Sequence, residues 1–148
     1  MRDYVLLKEI GKGTFGHAVL ASKRSDNQKV VIKRVDTAKL TARQQSDVIN
    51  EVNVLKQLRH PFIVRYYDSF AEKSIVSIVM EFADNGDLYR LISTHRLMQK
   101  PFSEGQILSW FTQLTLALSY LHETKIMHRD LKPANVGIVF EDERFDDE

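Results

Sequence analysis

The order of strand-like and helix-like segments constrains the fold of this chain more than any other feature. The strand-like segments are rich in Val, Ile and other β-forming residues and are separated by turn residues such as Ser25–Gln28. The predicted strands are Tyr4–Ile10, His17–Ser22, Lys29–Val35, Ile63–Phe70 and Ile75–Phe82. Helix-like patterns dominate the second half. Strands first and helices later are typical of an α+β fold with two segregated parts.

One helix interrupts the strands. It is expected to start at a capping box formed by Thr41 and Gln44, and to end before His60-Pro61, since the residue before a proline disfavours helical geometry. Its apolar stripe consists of Val48, Val52, Leu55 and Leu58. Glu51 lies beside this stripe.

The second half contains a short predicted helix, Asp87–Thr94, and a long one that follows a capping box of Ser103 and Gln106. The long helix, 104–121, is apolar over more than one face, so it should be buried on several sides. Its large apolar residues are Ile107, Leu108, Trp110, Phe111, Leu114, Leu116, Leu118, Tyr120 and Leu121.

Composition excludes several classes of protein. The 148 residues suit about one domain, and 43% apolar with 28% charged residues excludes a disordered chain. The net charge of +1 combines −5 on the last eight residues with +6 on the rest. The positive charges of that larger part are too few and too scattered for a nucleic-acid surface. The absence of Cys excludes disulfides and thiolate metal sites. The longest uncharged stretch, Gly105–Leu121, is too short and too polar to span a membrane, so we expect a soluble cytoplasmic chain.

The glycines of Gly11-x-Gly13-x-x-Gly16 leave several interpretations open. A flexible hairpin between two strands needs no ligand at all. A dinucleotide-binding fold would need a helix directly after the glycines, but a turn follows His17–Ser22. A Walker P-loop is excluded because no Gly-Lys-Ser/Thr follows. The remaining possibility is a glycine flap whose backbone N–H groups approach phosphates closely.

Lys33 lies within a predicted strand, and Glu51 lies on the following helix. Each residue alone is most often an exposed surface residue. A carboxylate near a buried face is costly unless it is paired, and Lys33 could supply the opposite charge. Such a pair would hold an ammonium group ready for a phosphate.

The segment Met127–Asn135 is the most specific motif in the sequence. It matches the catalytic-loop pattern H-R-D-L-x-x-x-N, with Asp130 and Asn135 five residues apart. His128 is expected to pack within this loop, and no third ligand near His122 suggests a metal site.

With these motifs the chain resembles a eukaryotic protein kinase domain from Tyr4 to about Asn135, and within that family the NIMA-related serine/threonine kinases. The finer features are Val-Ile-Lys33, Glu51-Val-Asn-Val-Leu, His60-Pro61, Val79-Met80-Glu81, Gly86-Asp87-Leu88 and Gln106-Ile-Leu-x-Trp-Phe. The resemblance implies an α+β, kinase-like fold: a five-stranded antiparallel N-lobe with an αC helix, plus an incomplete helical C-lobe. It also implies ATP and Mg²⁺ as cofactors and a protein Ser/Thr hydroxyl as acceptor. A cytoplasmic location, with cytoskeletal or centrosomal association, follows from the same resemblance.

The resemblance also assigns roles to individual residues. Lys33 and Glu51 would form the phosphate-binding pair, Asp130 would accept the substrate proton, and Lys132 would contact the γ-phosphate. Asn135 would bind the second Mg²⁺. The nucleotide would be contacted by Ile10, Gly11, Lys12, Gly13, Thr14, Phe15, Gly16, Ala18, Val31, Lys33, Met80, Glu81, Ala83 and Asp87. Among these, Met80 would be the gatekeeper, Glu81–Ala83 the hinge and Asp87 a ribose contact.

The pattern departs from the family after Asn135. Gly137 stands where a bulky residue should form the floor of the adenine pocket, and no Asp-Phe-Gly follows. We therefore expect a truncated kinase with an N-lobe and hinge at 1–83, the start of a C-lobe at 84–136 and a divergent acidic tail at 137–148. The alternative is a catalytically inactive module that binds nucleotide, or a partner through the exposed helix 104–121.

Overall fold

The computed structural model describes residues 3–12 and 16–139. The predicted acidic tail beyond residue 139 and the predicted nucleotide contacts Gly13, Thr14 and Phe15 lie outside the described residues. The chain divides into two compact units. Unit 1 comprises Met1–Arg59 and Val64–Phe82, and unit 2 comprises His60–Ile63 and Ala83–Glu148.

The described residues of unit 1 form a five-stranded antiparallel sheet, as predicted. Its strands are β1 (Tyr4–Lys12), β2 (Gly16–Lys23), β3 (Lys29–Asp36), β4 (Tyr66–Glu72) and β5 (Ile75–Glu81). The spatial order is β1-β2-β3-β5-β4. β2, β3 and β5 are therefore interior strands, and they contain the most deeply buried residues: Ile32, Ile78 and Val79 are 0% exposed.

β1 lies at one edge of the sheet and pairs irregularly with β2. Its register shifts twice, between Leu6 and Lys8 and between Glu9 and Gly11, so Leu7 and Ile10 are extra residues in this ladder. Val5, Leu6 and Leu7 are exposed, in contrast to the apolar residues of the interior strands.

Helix α1, Ala42–Gln57, follows β3. The predicted capping box is present: the Thr41 side chain accepts from the Gln44 backbone N–H, and the Gln44 side chain accepts from the Thr41 backbone N–H. Val48 and Val52 are buried, whereas Glu51 between them is exposed. The apolar spacing thus identified the helix face that packs in the core.

Two local features were not predicted from the sequence. A short 3₁₀ turn, Thr37–Lys39, precedes α1 and is capped by Asp36, whose side chain accepts from the Ala38 N–H. The fourth strand begins at Tyr66, three residues later than predicted. Residues 60–63 instead form a turn, closed by a hydrogen bond from the Ile63 N–H to the His60 carbonyl.

Unit 2 contains α2 (Leu88–Leu97), α3 (Glu104–Glu123) and a 3₁₀ turn at Pro133–Asn135. The predicted capping box of Ser103 and Gln106 begins α3. No helix in the described ranges is long and apolar enough to cross a membrane.

Helix α3 leaves much of its apolar surface uncovered. The exposed fractions are 52% for Ile107, 55% for Leu108, 66% for Phe111 and 49% for Leu116. The residues that are buried, Ala117 and Leu121, lie near its C-terminal end. Several large apolar residues of this helix therefore face solvent, whereas its apolar pattern alone predicted burial on several sides.

Candidate active site

The glycines of the first motif differ in what the sheet requires of them. A Cβ atom on Gly16 would overlap the backbone carbonyl of Arg34, so β2 can pair with β3 only if this residue is glycine. A Cβ on Gly11 would meet the Ala18 side chain at 3.8 Å, an ordinary contact. The fold therefore explains Gly16 by itself and leaves Gly11 open to a functional explanation.

Several predicted nucleotide contacts lie on one face of the sheet. Directly opposite residues in antiparallel strands share a face. The register pairs Gly11 with Ala18 and Ala18 with Lys33, which forms one row across β1, β2 and β3. A second row on the same face joins Val31 to Met80. Ile10 is the extra residue of a register shift and takes no part in these rows.

Lys33 and Glu51 contact each other, as the sequence suggested. The Lys33 Nζ lies 2.6 Å from the Glu51 Oε1 and donates a hydrogen bond to it. The side chains are 40% and 44% exposed, so the pair lies at the rim of the buried face of α1 and not within it. The pair is accessible to solvent, and an anion could approach the ammonium group from outside.

The loop that carries the second motif begins with a tight reversal at the end of α3. The Ile126 N–H bonds to the Leu121 carbonyl and the Lys125 N–H to the His122 carbonyl, the two bonds of a Schellman motif. Lys125 has a φ of +61°, a left-handed conformation that glycine usually occupies at this position. Arg129, directly before Asp130, has a φ of +65°. Such left-handed residues cost free energy and occur often at functional sites.

Asp130 is the centre of the hydrogen bonds in this loop. The Lys132 Nζ lies 2.9 Å from each carboxylate oxygen, and the Asn135 Nδ2 donates to the Asp130 Oδ2 at 2.9 Å and to its backbone carbonyl at 2.8 Å. These donors, with Lys132 first and Asn135 second, lower the pKa of Asp130 below its ordinary value of 3.8. The carboxylate is thus charged, exposed and held in one orientation.

The prediction that His128 packs within the loop is wrong. His128 is exposed and does not pack inside the loop. Its Nδ1 accepts a hydrogen bond from the Asp130 N–H at 3.3 Å, so it supports the backbone beside the carboxylate.

A family model described as the protein kinase domain matches residues 4–145. The chain belongs to the protein kinase family. The match extends into the acidic segment, ten residues past Asn135. The kinase-like α+β fold expected from the sequence is confirmed by this match together with the antiparallel sheet of unit 1.

Several NIMA-related kinases are similar to this chain. A probable serine/threonine-protein kinase nek3 of Dictyostelium discoideum is 43% identical over 92% of this chain and 12% of its own length. Human serine/threonine-protein kinase Nek5 is 41% identical over 92% of this chain and 19% of its length. Serine/threonine-protein kinase nekl-2 of Caenorhabditis elegans is 38% identical, over 92% and 40% respectively. The predicted resemblance is confirmed, and the chain spans less than half the length of these relatives.

Protein kinases generally use ATP and Mg²⁺. In unit 2, the side-chain oxygen of Asn135 is of the kind that binds Mg²⁺. No group of three or more His, Asp or Glu residues within the described ranges could hold a metal ion by itself. Mg²⁺ usually takes only one or two protein oxygens beside those of phosphates and water. Asn135 uses its amide nitrogen on Asp130, which leaves its carbonyl oxygen for such a bond.

Two predicted nucleotide contacts already have structural partners. The Asp87 carboxylate caps α2 by accepting from the Arg90 N–H at 2.8 Å, and it forms an ion pair with the Arg90 side chain. The Glu81 N–H donates to the Arg65 carbonyl at 2.9 Å, and the Glu81 side chain accepts from the Arg65 N–H at 3.0 Å. A ligand would therefore have to use the other backbone atoms of Glu81.

Sequence reasoning missed the segment Val136–Ile138. This segment pairs with residues 85–88 through hydrogen bonds from the Leu88 N–H to the Val136 carbonyl and from the Ile138 N–H to the Gly86 carbonyl, both 2.9 Å long. Asp87 and Gly137 form an antiparallel bridge between them. The partners are about fifty residues apart in sequence, and no spacing pattern could have indicated the contact.

Proposed function

We propose that the chain is the nucleotide-binding and catalytic-loop part of an ATP-dependent serine/threonine protein kinase, which transfers the γ-phosphate of ATP to protein hydroxyl groups. The observation that carries the proposal is the carboxylate of Asp130, held by Lys132 and Asn135 within a catalytic-loop motif. Phosphoryl transfer depends mainly on positioning and electrostatic stabilisation, and this arrangement supplies both.

In this proposal Asp130 orients the acceptor hydroxyl and takes its proton. A depressed pKa keeps the carboxylate charged at neutral pH, so it is ready to accept a hydrogen bond from a hydroxyl group. Lys132 is positively charged and lies beside Asp130, so a phosphate next to the acceptor would also be next to this ammonium. Asn135 fixes the carboxylate and offers an oxygen to Mg²⁺, whose charge would offset that of the phosphates when it is bound.

In unit 1, Lys33 would bind the α- and β-phosphates, and Glu51 would hold its ammonium in place. The other proposed nucleotide contacts keep the roles that the family resemblance implies. They are Ile10, Gly11, Lys12, Gly13, Thr14, Phe15, Gly16, Ala18, Val31, Met80, Glu81, Ala83 and Asp87. For Asp87 a ribose contact would compete with its capping bonds to Arg90.

The first experiment measures ATP binding and phosphate transfer by the purified 148-residue chain. ATP with Mg²⁺ should raise the melting temperature, and a generic Ser/Thr peptide should be phosphorylated. Asp130→Asn should lower the transfer rate by about a hundredfold or more without abolishing the thermal shift. Asp47→Asn, an exposed carboxylate on α1, is the matched control and should change neither.

A second pair of variants tests unit 1. Lys33→Met should abolish the thermal shift, whereas Lys29→Met, on the same strand but exposed at its start, should leave it unchanged. Equal shifts for the two variants would refute the role given to Lys33.

The exposed apolar surface of α3 favours a second candidate function, binding of a protein partner by a catalytically inactive chain. Ile107, Leu108 and Phe111 are each more than half exposed, and apolar side chains gathered on one surface favour association. If the chain neither shifts with ATP nor transfers phosphate, this alternative gains support. Its own test is the size of the purified chain by light scattering. Replacing these three residues by Gln should then convert an associated species into a monomer.

The location is part of the same proposal. By family resemblance we propose that the protein acts in the cytoplasm on protein substrates, with cytoskeletal or centrosomal association as the finer expectation. Imaging of a fluorescent fusion tests both statements, and accumulation in a membrane compartment would contradict them.

A further inference from the structure

A short network of hydrogen bonds joins helix α1 to one end of the sheet in unit 1. Ser74 lies in the turn between β4 and β5, and its carbonyl accepts two bonds from Thr37: one from the backbone N–H at 2.7 Å and one from the side-chain hydroxyl at 2.8 Å. The Thr37 carbonyl in turn accepts from the side-chain amide of Gln45 on α1 at 2.9 Å. The same amide nitrogen lies 3.3 Å from the Leu40 carbonyl. A residue of the helix is thus bonded to the linker that the turn holds in place.

Gln45 is a polar residue on the buried face of α1. It lies three residues before Val48 and seven before Val52, a spacing that puts the three side chains on one face of the helix. Its hydrogen bonds to the linker are partly buried. The apolar burial of Val48 and Val52 is non-directional, so it does not by itself fix how far the helix slides or turns. Hydrogen bonds depend on both distance and angle, and those of Gln45 therefore restrict the position of the helix more narrowly.

Lys33 and Glu51 lie on either side of this network in the sequence. Lys33 precedes Thr37 by four residues on β3, and Glu51 follows Gln45 by six residues on α1. At a rise of about 1.5 Å per residue, Glu51 lies about 9 Å along the helix from Gln45. A shift of α1 along or about its axis would therefore move the Glu51 carboxylate, and its 2.6 Å hydrogen bond from the Lys33 Nζ tolerates little displacement.

We propose that Gln45 is a positioning residue that holds α1 where Glu51 reaches Lys33. The proposal rests on the proposed function, in which Lys33 binds the phosphates of ATP and Glu51 holds its ammonium in place. Gln45 acts through the position of the helix and not through a contact with the nucleotide. Thr37 completes the network, because it joins Gln45 to the turn at Ser74.

An uncharged substitution of similar length tests this inference. Gln45→Met keeps an unbranched side chain on the helix but removes the amide donor. Gln57→Met, the same change at an exposed residue at the other end of α1, is the matched control. Calorimetry measures the dissociation constant of ATP with Mg²⁺ for both variants and for Glu51→Gln, alone and combined with Gln45→Met. Urea unfolding shows whether each variant is folded.

Gln45→Met should weaken ATP binding by about fivefold, the scale of one hydrogen bond, whereas Gln57→Met should bind ATP as the original chain does. In the Glu51→Gln background, Gln45→Met should change ATP binding by less than about twofold, because the ion pair through which Gln45 acts is already lost. An undiminished loss in that background would show that Gln45 acts by another route and would overturn the inference. So would unchanged ATP binding by Gln45→Met.

Thr37→Val is a second variant that decides the question if Gln45→Met does not fold. It removes the hydroxyl bond to the Ser74 carbonyl and keeps the backbone N–H bond. We expect a smaller loss of ATP affinity, about threefold, and again only when Glu51 is present. The same loss in the Glu51→Gln background would overturn the inference.

Spin labels separate this inference from the proposed function. The sequence contains no Cys, so labels can be attached at two introduced cysteines, Asn53→Cys on α1 and Lys29→Cys on β3, both at exposed positions. If the unaltered chain binds no ATP, the proposed function fails, and the distance distribution between the two labels decides the positioning claim by itself. Gln45→Met should shift or broaden this distribution, and Gln57→Met should not. An unchanged distribution in Gln45→Met would refute the claim that Gln45 positions the helix.

Discussion

Replacing Ile78 by Ala should destabilise unit 1 severely. Ile78 lies on the interior strand β5, opposite Lys33 in the register with β3, and is 0% exposed. The change removes three buried carbons, worth about 2.5 kcal/mol at roughly 0.8 kcal/mol each. The cavity that the change leaves in the core of unit 1 adds to this, for a total of about 4 kcal/mol. That is a large fraction of the roughly 5–15 kcal/mol that stabilises a typical domain.

The matched control is the same chemical change at an exposed position. Ile107 on α3 is 52% exposed, so Ile107→Ala removes the same three carbons from a site that water already reaches. We expect a cost of less than about 1 kcal/mol, because Ala also favours the helix more than Ile does. The difference between the two free-energy costs therefore measures the effect of burial, because the chemical change is the same.

Urea unfolding followed by far-UV circular dichroism measures both changes as shifts of the transition midpoint. Hydrogen exchange of the β3 and β5 amides then locates the loss for Ile78→Ala in the sheet. Equal costs for the two substitutions, or a cost for Ile78→Ala below about 1 kcal/mol, would refute the reasoning that the core of unit 1 is closed around this strand.

Three further predictions concern the loop and the glycines. Lys132→Met should raise the pKa of Asp130 toward 3.8, measured by NMR titration of the carboxyl carbon, because the ammonium favours the charged form. The stability that this pair contributes is present above that value and is lost as the pH falls through the lowered pKa. Lys125→Gly should raise the free energy of unfolding by about 1 kcal/mol, since glycine tolerates the left-handed conformation, and a lower melting temperature would contradict this. Gly16→Ala should disrupt the sheet, whereas Gly11→Ala should leave the circular dichroism spectrum unchanged.

The parts of the fold that the sequence predicted are those encoded by neighbouring residues. Both capping boxes join residues three apart, Thr41 with Gln44 and Ser103 with Gln106, and both are formed. The stripe that includes Val48 and Val52 predicted the buried face of α1 for the same reason. Such bonds depend on local geometry, so spacing alone is sufficient to find them.

The features that were missed depend on residues far apart or on unusual backbone geometry. The pairing of Val136–Ile138 with residues 85–88 is a tertiary contact, and no sequence pattern near Gly137 predicts it. The left-handed Lys125 and Arg129 replace the glycine or asparagine that would have signalled such a conformation. For Glu51 the ion pair with Lys33 was predicted but its exposed position was not, because spacing beside an apolar stripe cannot distinguish a rim from a core.

The irregular pairing of β1 has a consequence for how the chain behaves among its own copies. An edge strand with a row of unpaired backbone groups and exposed apolar residues can recruit strands from other molecules. The two extra residues, Leu7 and Ile10, limit the regular stretches of β1 to at most three residues, so a foreign strand finds no long template. The register shifts of β1 therefore reduce edge-to-edge association between copies of the chain. Without them, the exposed Val5, Leu6 and Leu7 would favour such association.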